Sequence, residues 1–203
     1  WVMPTPEVYE LMDEAAEEGF ESGDFVHMGY NAAVGSLLGF QHGPPLAELA
    51  DRVAHWHGRA LEVNEEVSSR NLAVFAQLVE ALRQREPGPG NLWRDPEAID
   101  AQLQRLTEAK NLSQRFHFEH LELQYLYLCG RPEAARRVGD RAAALIPEVD
   151  GLYSMAQFFL YRGLALSAPV RDHEELSPCE QLAFRECRER LAELAAVAPD
   201  NLG

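Results

Sequence analysis

The stretch RFHFEHLELQYLYLCGRPEAARRVGDRAAALIP, residues 115–147, sets the architecture of the chain. Aromatic and aliphatic residues recur through its first part, and the helical periodicity that runs almost end to end through the chain predicts a helix over 113–129. Gly130 tolerates the positive φ of a tight turn. Pro132 takes a first helical position, where its missing N–H costs nothing. A second helix follows over 132–146, closed by Pro147. Together they read as a helix hairpin.

The same punctuation extends outward in both directions. Val8, Leu11, Met12, Ala15, Ala16 and Phe20 fall on one face of a first helix, with Glu10, Asp13, Glu14, Glu17, Glu18 and Glu21 on the other. Gly23 ends it, and Asp24 caps a second helix over 25–42. Gly43-Pro44-Pro45 breaks the chain before a third over 46–63, and Asn64 caps a fourth carrying Val67, Val74, Phe75, Leu78, Val79 and Leu82. Pro87-Gly88-Pro89-Gly90 is the strongest breaker, so 87–95 is expected to be an internal hinge. Asp95-Pro96 restarts helix. An apolar helix is expected over 151–167, with 168–176 as loop. Ser177-Pro178-Cys179-Glu180 is a capping box opening a last helix that buries Phe184, Cys187, Leu191, Leu194 and Ala198. The result is an all-α chain of about nine helices in antiparallel hairpins, a single array over 1–203.

Composition narrows the functional classes. The 203 residues are 46% hydrophobic and 25% charged, an ordinary globular balance. Thirty-three acidic against 18 basic residues give a net charge of −15, which repels a phosphate backbone and argues against nucleic acid as partner. Residues 1–24 hold eight Asp/Glu and no Lys or Arg. Lys110 is the one lysine beside 17 arginines, placed by the helical pattern within a helix. Cys129, Cys179 and Cys187 form no CxxC, so reduced thiols in a cytoplasmic chain are expected. The apolar run 152–170 includes Gln157 and Arg162 and reads as a buried helix, not a membrane span. No signal peptide opens the chain, and its abrupt ends read as those of a piece of something longer.

Residues 115–147 resemble a tetratricopeptide (TPR) repeat, with Gly130 at the turn, Ala135 and Ala142 at the small positions and Pro147 at the end. Glu119 and Leu123 stand where that repeat usually carries a bulky aromatic and a glycine. A wider resemblance rests on Tyr9-Glu-Leu-Met, Gly19-Phe-Glu-Ser-Gly-Asp24, Gly43-Pro-Pro-Leu46 and Leu121-Glu-Leu-Gln-Tyr-Leu-Tyr-Leu-Cys-Gly130. Phe158-Phe-Leu-Tyr161, Arg185-Glu-Cys-Arg188 and Ala198-Pro-Asp-Asn201 extend it. Together these are similar to the TPR-like helical region of large bacterial signalling proteins. In that family a Ser/Thr-kinase-like domain precedes a STAND/AAA-type predicted ATPase, the helical array follows, and GAF and histidine-kinase or cyclase modules come after. The resemblance implies a TPR-like solenoid acting as a scaffold or sensor segment.

Catalytic motifs are missing from the sequence. There is no phosphate-binding glycine loop, nucleophile elbow or kinase catalytic loop, so no enzyme activity or cofactor is expected of this chain. His55 and His57 project about 200° apart on a helix and cannot share a metal. His117 and His120, with Glu119 and Glu122 nearby, supply at most two ligands, and no metal is assigned. His173 sits in an acidic loop as a solvated residue. In the repeat frame His117, His120, Gln124 and Tyr127 form a stripe facing the concave groove, the candidate surface for a peptide. Arg131, Arg136, Arg137 and Arg141 form a candidate basic patch. The expected role is a regulatory, protein-binding scaffold whose partner is another protein or a flanking domain. The alternative is a passive spacer that sets domain geometry.

Overall fold

A computed structural model describes residues 5–84, 90–149, 154–171 and 175–197. Among them there are ten α-helices and no strand: α1 (Thr5–Ser22), α2 (Phe25–His42), α3 (Leu46–Glu62), α4 (Glu66–Arg83), α5 (Pro96–Glu108), α6 (Leu112–Leu128), α7 (Pro132–Ala143), α8 (Ile146–Val149), α9 (Met155–Arg171) and α10 (Pro178–Val197). A 3-10 turn, Leu92–Arg94, precedes α5. The helices form two compact units, dividing between Arg94 and Asp95. That division lies at one end of the expected hinge, whose residues 87–89 fall outside the described residues.

Local capping chemistry accounts for several helix starts. Asp24 accepts from the His27 N–H at 3.3 Å, Asp95 from Glu97 N–H at 3.0 Å, and Asn111 from Gln114 N–H at 3.0 Å. The Ser177–Glu180 box is reciprocal: Glu180 accepts from the Ser177 N–H at 2.7 Å and Ser177 Oγ from the Glu180 N–H at 3.4 Å.

Several boundaries differ from the sequence reading. Asn64 is not the cap of α4; it stands in the left-handed region at φ 55°, and Glu65 caps the helix by accepting from Ser68 N–H. Lys110 is not within a helix; it too is left-handed, at φ 53°, in the turn between α5 and α6. Pro147 does not end α7 but is the second residue of the short α8. The apolar helix α9 runs to Arg171, past its expected end at 167. On α10 only Cys187 is fully buried, while Phe184, Leu191 and Leu194 keep partial exposure; Ala198 lies outside the described residues.

In the first unit the hairpins α1–α2 and α3–α4 stack with the same polarity. Asp13 meets Arg52, Glu17 meets His55 and Phe20 meets Arg59, so α1 and α3 run parallel with partners 38 or 39 residues apart. Gly29 against Ser68 and Phe40 against Phe75 set α2 parallel to α4 in the same way. Hairpin closeness rests on glycine: a Cβ on Gly19 would lie 2.8 Å from the Met28 backbone nitrogen.

In the second unit α6 is the central helix, packed by α5, α7, α8 and α9. Phe116 meets Phe158 at 5.2 Å and Tyr127 meets Tyr161 at 5.8 Å, which runs α6 parallel to α9. Ala135 and Ala142 are fully buried. Arg162 reaches Asp140 and Glu186, tying α9 to α7 and α10.

The turns repeat one device. Gly23, Asn64, Lys110 and Gly130 each take positive φ just ahead of the next helix. After three of them the following N–H reaches back five residues: Glu65 to Ala60, Asn111 to Leu106 and Arg131 to Leu126. A lysine in this conformation carries steric strain that glycine does not. Replacing Lys110 with Gly is expected to raise stability by about 1 kcal/mol, and Gly130→Ala to lower it by about as much. Urea midpoints at constant m-value check both.

Candidate functional site

Helix α6 is buried on almost every side: Phe116 and every residue from 118 to 126 are out of solvent. It nevertheless carries Glu119, His120, Glu122 and Gln124. Each of these polar groups requires a partner, because an unpaired buried charge costs several kcal/mol. Glu119 is fully buried and meets Arg115 Nε at 3.0 Å and Arg141 Nε at 3.3 Å. Glu122 meets Arg141 Nη2 at 2.7 Å. Burial raises the Glu122 carboxyl above its usual range, against the pull of Arg141.

The expected groove stripe is therefore largely interior. His120 and Gln124 are fully buried, and His117 and Tyr127 are partly buried. His120 stacks on Phe116 and meets Phe158 edge-on. Gln124 Nε2 lies 2.6 Å from His120 Nε2; the amide donates, which leaves the imidazole proton on Nδ1. Burial, reinforced by nearby His117, holds the His120 pKa down to about 3, so the ring is neutral. His117 is also lowered by burial, with its hydrogen bond to the Ser113 backbone carbonyl acting the other way. Tyr127 packs against Tyr161. Of the four, Tyr127 and His117 retain some access and the other two belong to the core.

The expected basic patch is dispersed into ion pairs. Arg141 holds Glu119 and Glu122, Arg136 holds Glu180 of α10, and Arg137 holds Glu133 one turn back on α7. Arg131 is exposed at the start of α7. Arg136 and Arg141 join helices, while Arg131 and Arg137 stay at the surface.

The partners of some buried charged side chains were outside the sequence reading. Arg52 is only 8% exposed at its side chain, stacked 4.1 Å from the Tyr9 ring centroid with Nη2 2.9 Å from Asp13. Asp13 also accepts from the Trp56 indole N–H at 2.7 Å, so it belongs to the helix interface and not to a solvated acidic face. Arg162 plays the matching part in the second unit, beside Cys187, whose thiol burial pushes up to about 11. The signal was available in both cases. Arg52 falls in the stripe of Leu49, Val53, Trp56 and Ala60, and Arg162 interrupts an apolar run; an arginine there needs an acid from another helix.

No group of three or more His, Cys, Asp or Glu side chains converges among the described residues. His173 lies outside them. No helix of the described residues is long and apolar enough to cross a membrane. No protein-family model matches the chain, and no match was found among curated proteins or solved structures.

The His120–Gln124 pair gives a direct test of this interior. His120→Leu alone strands the Gln124 amide and is expected to cost about 1–3 kcal/mol, whereas adding Gln124→Leu recovers most of the loss. The pH dependence has a definite sign. Because the folded His120 pKa lies near 3 and the unfolded one near 6.5, the unfolded chain takes up more protons as pH falls through that window. Stability present above pH 6.5 is thus lost toward pH 3, with a slope of up to about 1.4 kcal/mol per pH unit. Glu122 acts oppositely, since its raised carboxyl favours folding at low pH and loses that contribution as pH rises. Denaturant titrations across this range should therefore show a shallower acid loss in the double variant than in the wild type.

Proposed function

We propose that the chain is a TPR-like helical scaffold segment that binds a protein partner or a flanking domain and so biases the output of a larger signalling protein. The observation that carries this reading is the same-polarity stacking of successive hairpins, with α1 parallel to α3 and α6 parallel to α9. Such stacking is the building rule of helical solenoids, in which each hairpin mainly contacts its neighbour and the array presents long surfaces. The short turn between α6 and α7 at Gly130, and the buried Ala135 and Ala142, agree with a TPR-like hairpin. The interior charges support a non-catalytic role: Asp13, Glu119, Glu122, Arg52, Arg141 and Arg162 are all engaged in holding helices together.

The parent is proposed from the resemblance quoted above: a bacterial multidomain protein with kinase-like and ATPase modules, working in the cytoplasm. The coding DNA on both sides of this segment tests that directly. The expected result is an open frame that runs upstream into a phosphate-binding glycine loop and downstream into sensor or kinase modules. Stop codons close to both ends would overturn it. Within such a parent, a change of output on deleting a hairpin but not on altering exposed residues would replace the binding scaffold with the passive spacer.

A further inference from the structure

Part of the stretch expected to be a hinge is fastened to α4. Asn91 Nδ2 donates to the Gln77 backbone carbonyl at 2.9 Å, and the Leu92 N–H donates to Gln77 Oε1 at 2.8 Å. Trp93 Nε1 donates to the Val74 carbonyl at 3.1 Å, and the residue is only 2% exposed. Val74 and Gln77 lie one turn apart on α4, so all three bonds land on a single face of that helix. Asn91 also closes the segment on itself. Its Oδ1 accepts from the Trp93 N–H at 3.0 Å and its carbonyl from the Arg94 N–H at 3.1 Å. The next residue, Asp95, accepts from the Glu97 and Ala98 N–H groups and starts α5. No unattached residue separates the segment held on α4 from the cap of α5.

This attachment can be undone without dismantling its seat. Val74 and Gln77 are interior to α4, where helix geometry already engages their carbonyls with the N–H groups four residues on. The bonds from Trp93 and Asn91 use the second lone pair of each oxygen, so α4 keeps its own ladder when they break. Trp93 is the one fully buried residue of the segment; Asn91 and Leu92 are half-buried and Arg94 is exposed. A single anchor thus holds the segment, and the polar bonds fix where it sits. With the anchor seated, α5 starts directly after the docked turn. With it released, the connection from Arg83, the last residue of α4, to Asp95 is the eleven residues 84–94. The reach between surfaces carried by two linked units follows the length of their connection.

We propose that Trp93 is a latch: seated on α4 it makes the junction between the two units direct, and released it turns residues 84–94 into a tether. The indole is the anchor, and Gln77 grips the Asn91 side chain with its backbone carbonyl and the Leu92 backbone with its amide oxygen. The inference goes beyond the scaffold reading and stands apart from it, since it uses only contacts within the first unit and the cap of α5.

The test uses the full chain. Hydrogen exchange of the Leu92, Trp93 and Arg94 amides, read by NMR, follows the latch itself. Spin labels on cysteines at Asp51 and Glu133, one exposed position in each unit, follow the junction in a chain whose own three cysteines are replaced by serine. Trp93→Ala should speed exchange of the three amides by roughly tenfold or more and widen the distribution of label distances. Gln77→Ala, which keeps the indole, should act in the same direction and less. Trp93→Phe keeps an apolar ring and loses one hydrogen bond, and should stay close to the unmodified chain. Exchange in α1, α2 and α3 should be unchanged in each variant, which shows that the first unit remains folded. The proposal is overturned if Trp93→Ala leaves the three amides as protected as before. It is equally overturned if exchange rises to the same extent throughout α1 to α4, since Trp93 is then an ordinary core residue. Opening of the segment with no change in the width of the label distances would also overturn it. Each of these outcomes removes the latch and leaves the scaffold reading to the flanking coding sequence.

Discussion

Buried charge is the constraint on which the two units depend. A guanidinium or carboxylate removed from water must meet its opposite, and removing one member of such a pair costs about 3–5 kcal/mol. Here another helix supplies an opposite charge in each case, with Arg115 of α6 itself adding a second contact to Glu119. Arg52 of α3 meets Asp13 of α1, Arg141 of α7 meets Glu119 and Glu122 of α6, and Arg162 of α9 meets Asp140 of α7 and Glu186 of α10. Apolar burial alone tolerates sliding by a helical turn. A buried pair does not, because the slide would leave both groups unpaired. These contacts therefore set the register in which hairpins stack, as the Asp13–Arg52, Glu17–His55 and Phe20–Arg59 series illustrates.

The helix α6 takes this logic furthest. With neighbours on most of its circumference it has no wet face, yet its sequence keeps four polar residues in the buried run. Two arginines meet its carboxylates, and the Gln124 amide donates to the neutral His120 between aromatic rings. The outcome is an interior tied across helices by specific ion pairs.

Features governed by a few adjacent residues were legible in the sequence. Asp24, Asp95 and the Ser177–Glu180 box act within one turn of their own helix, and Gly130 needs only its own backbone freedom. The all-helical class followed from the same local periodicity. Lys110 was misplaced because nothing in a lysine announces a left-handed turn, and Asn64 because asparagine suits both a helix cap and a left-handed turn; the five-residue hydrogen bonds around them impose the turn. The candidate site fared less well for a related reason. Choosing His117, His120, Gln124 and Tyr127 as a groove assumes that the polar stripe of α6 is open, and the packing of α9 against it is a tertiary fact. Arginines in apolar stripes were the available clue to that packing.

The central claim is that successive hairpins stack with the same polarity, and distances between spin labels on α1 and α3 test it most directly. Cysteines at Glu10 or Glu21 of α1 would be paired with cysteines at Asp51 or Glu62 of α3, all of them exposed, in a chain whose own three cysteines are replaced by serine. Eleven residues of helix span about 16 Å, so the two arrangements separate cleanly. Parallel stacking predicts that the 10–51 and 21–62 pairs are the short distances and the 10–62 and 21–51 pairs the long ones. The reverse order would contradict the stacking, and with it the scaffold built upon it.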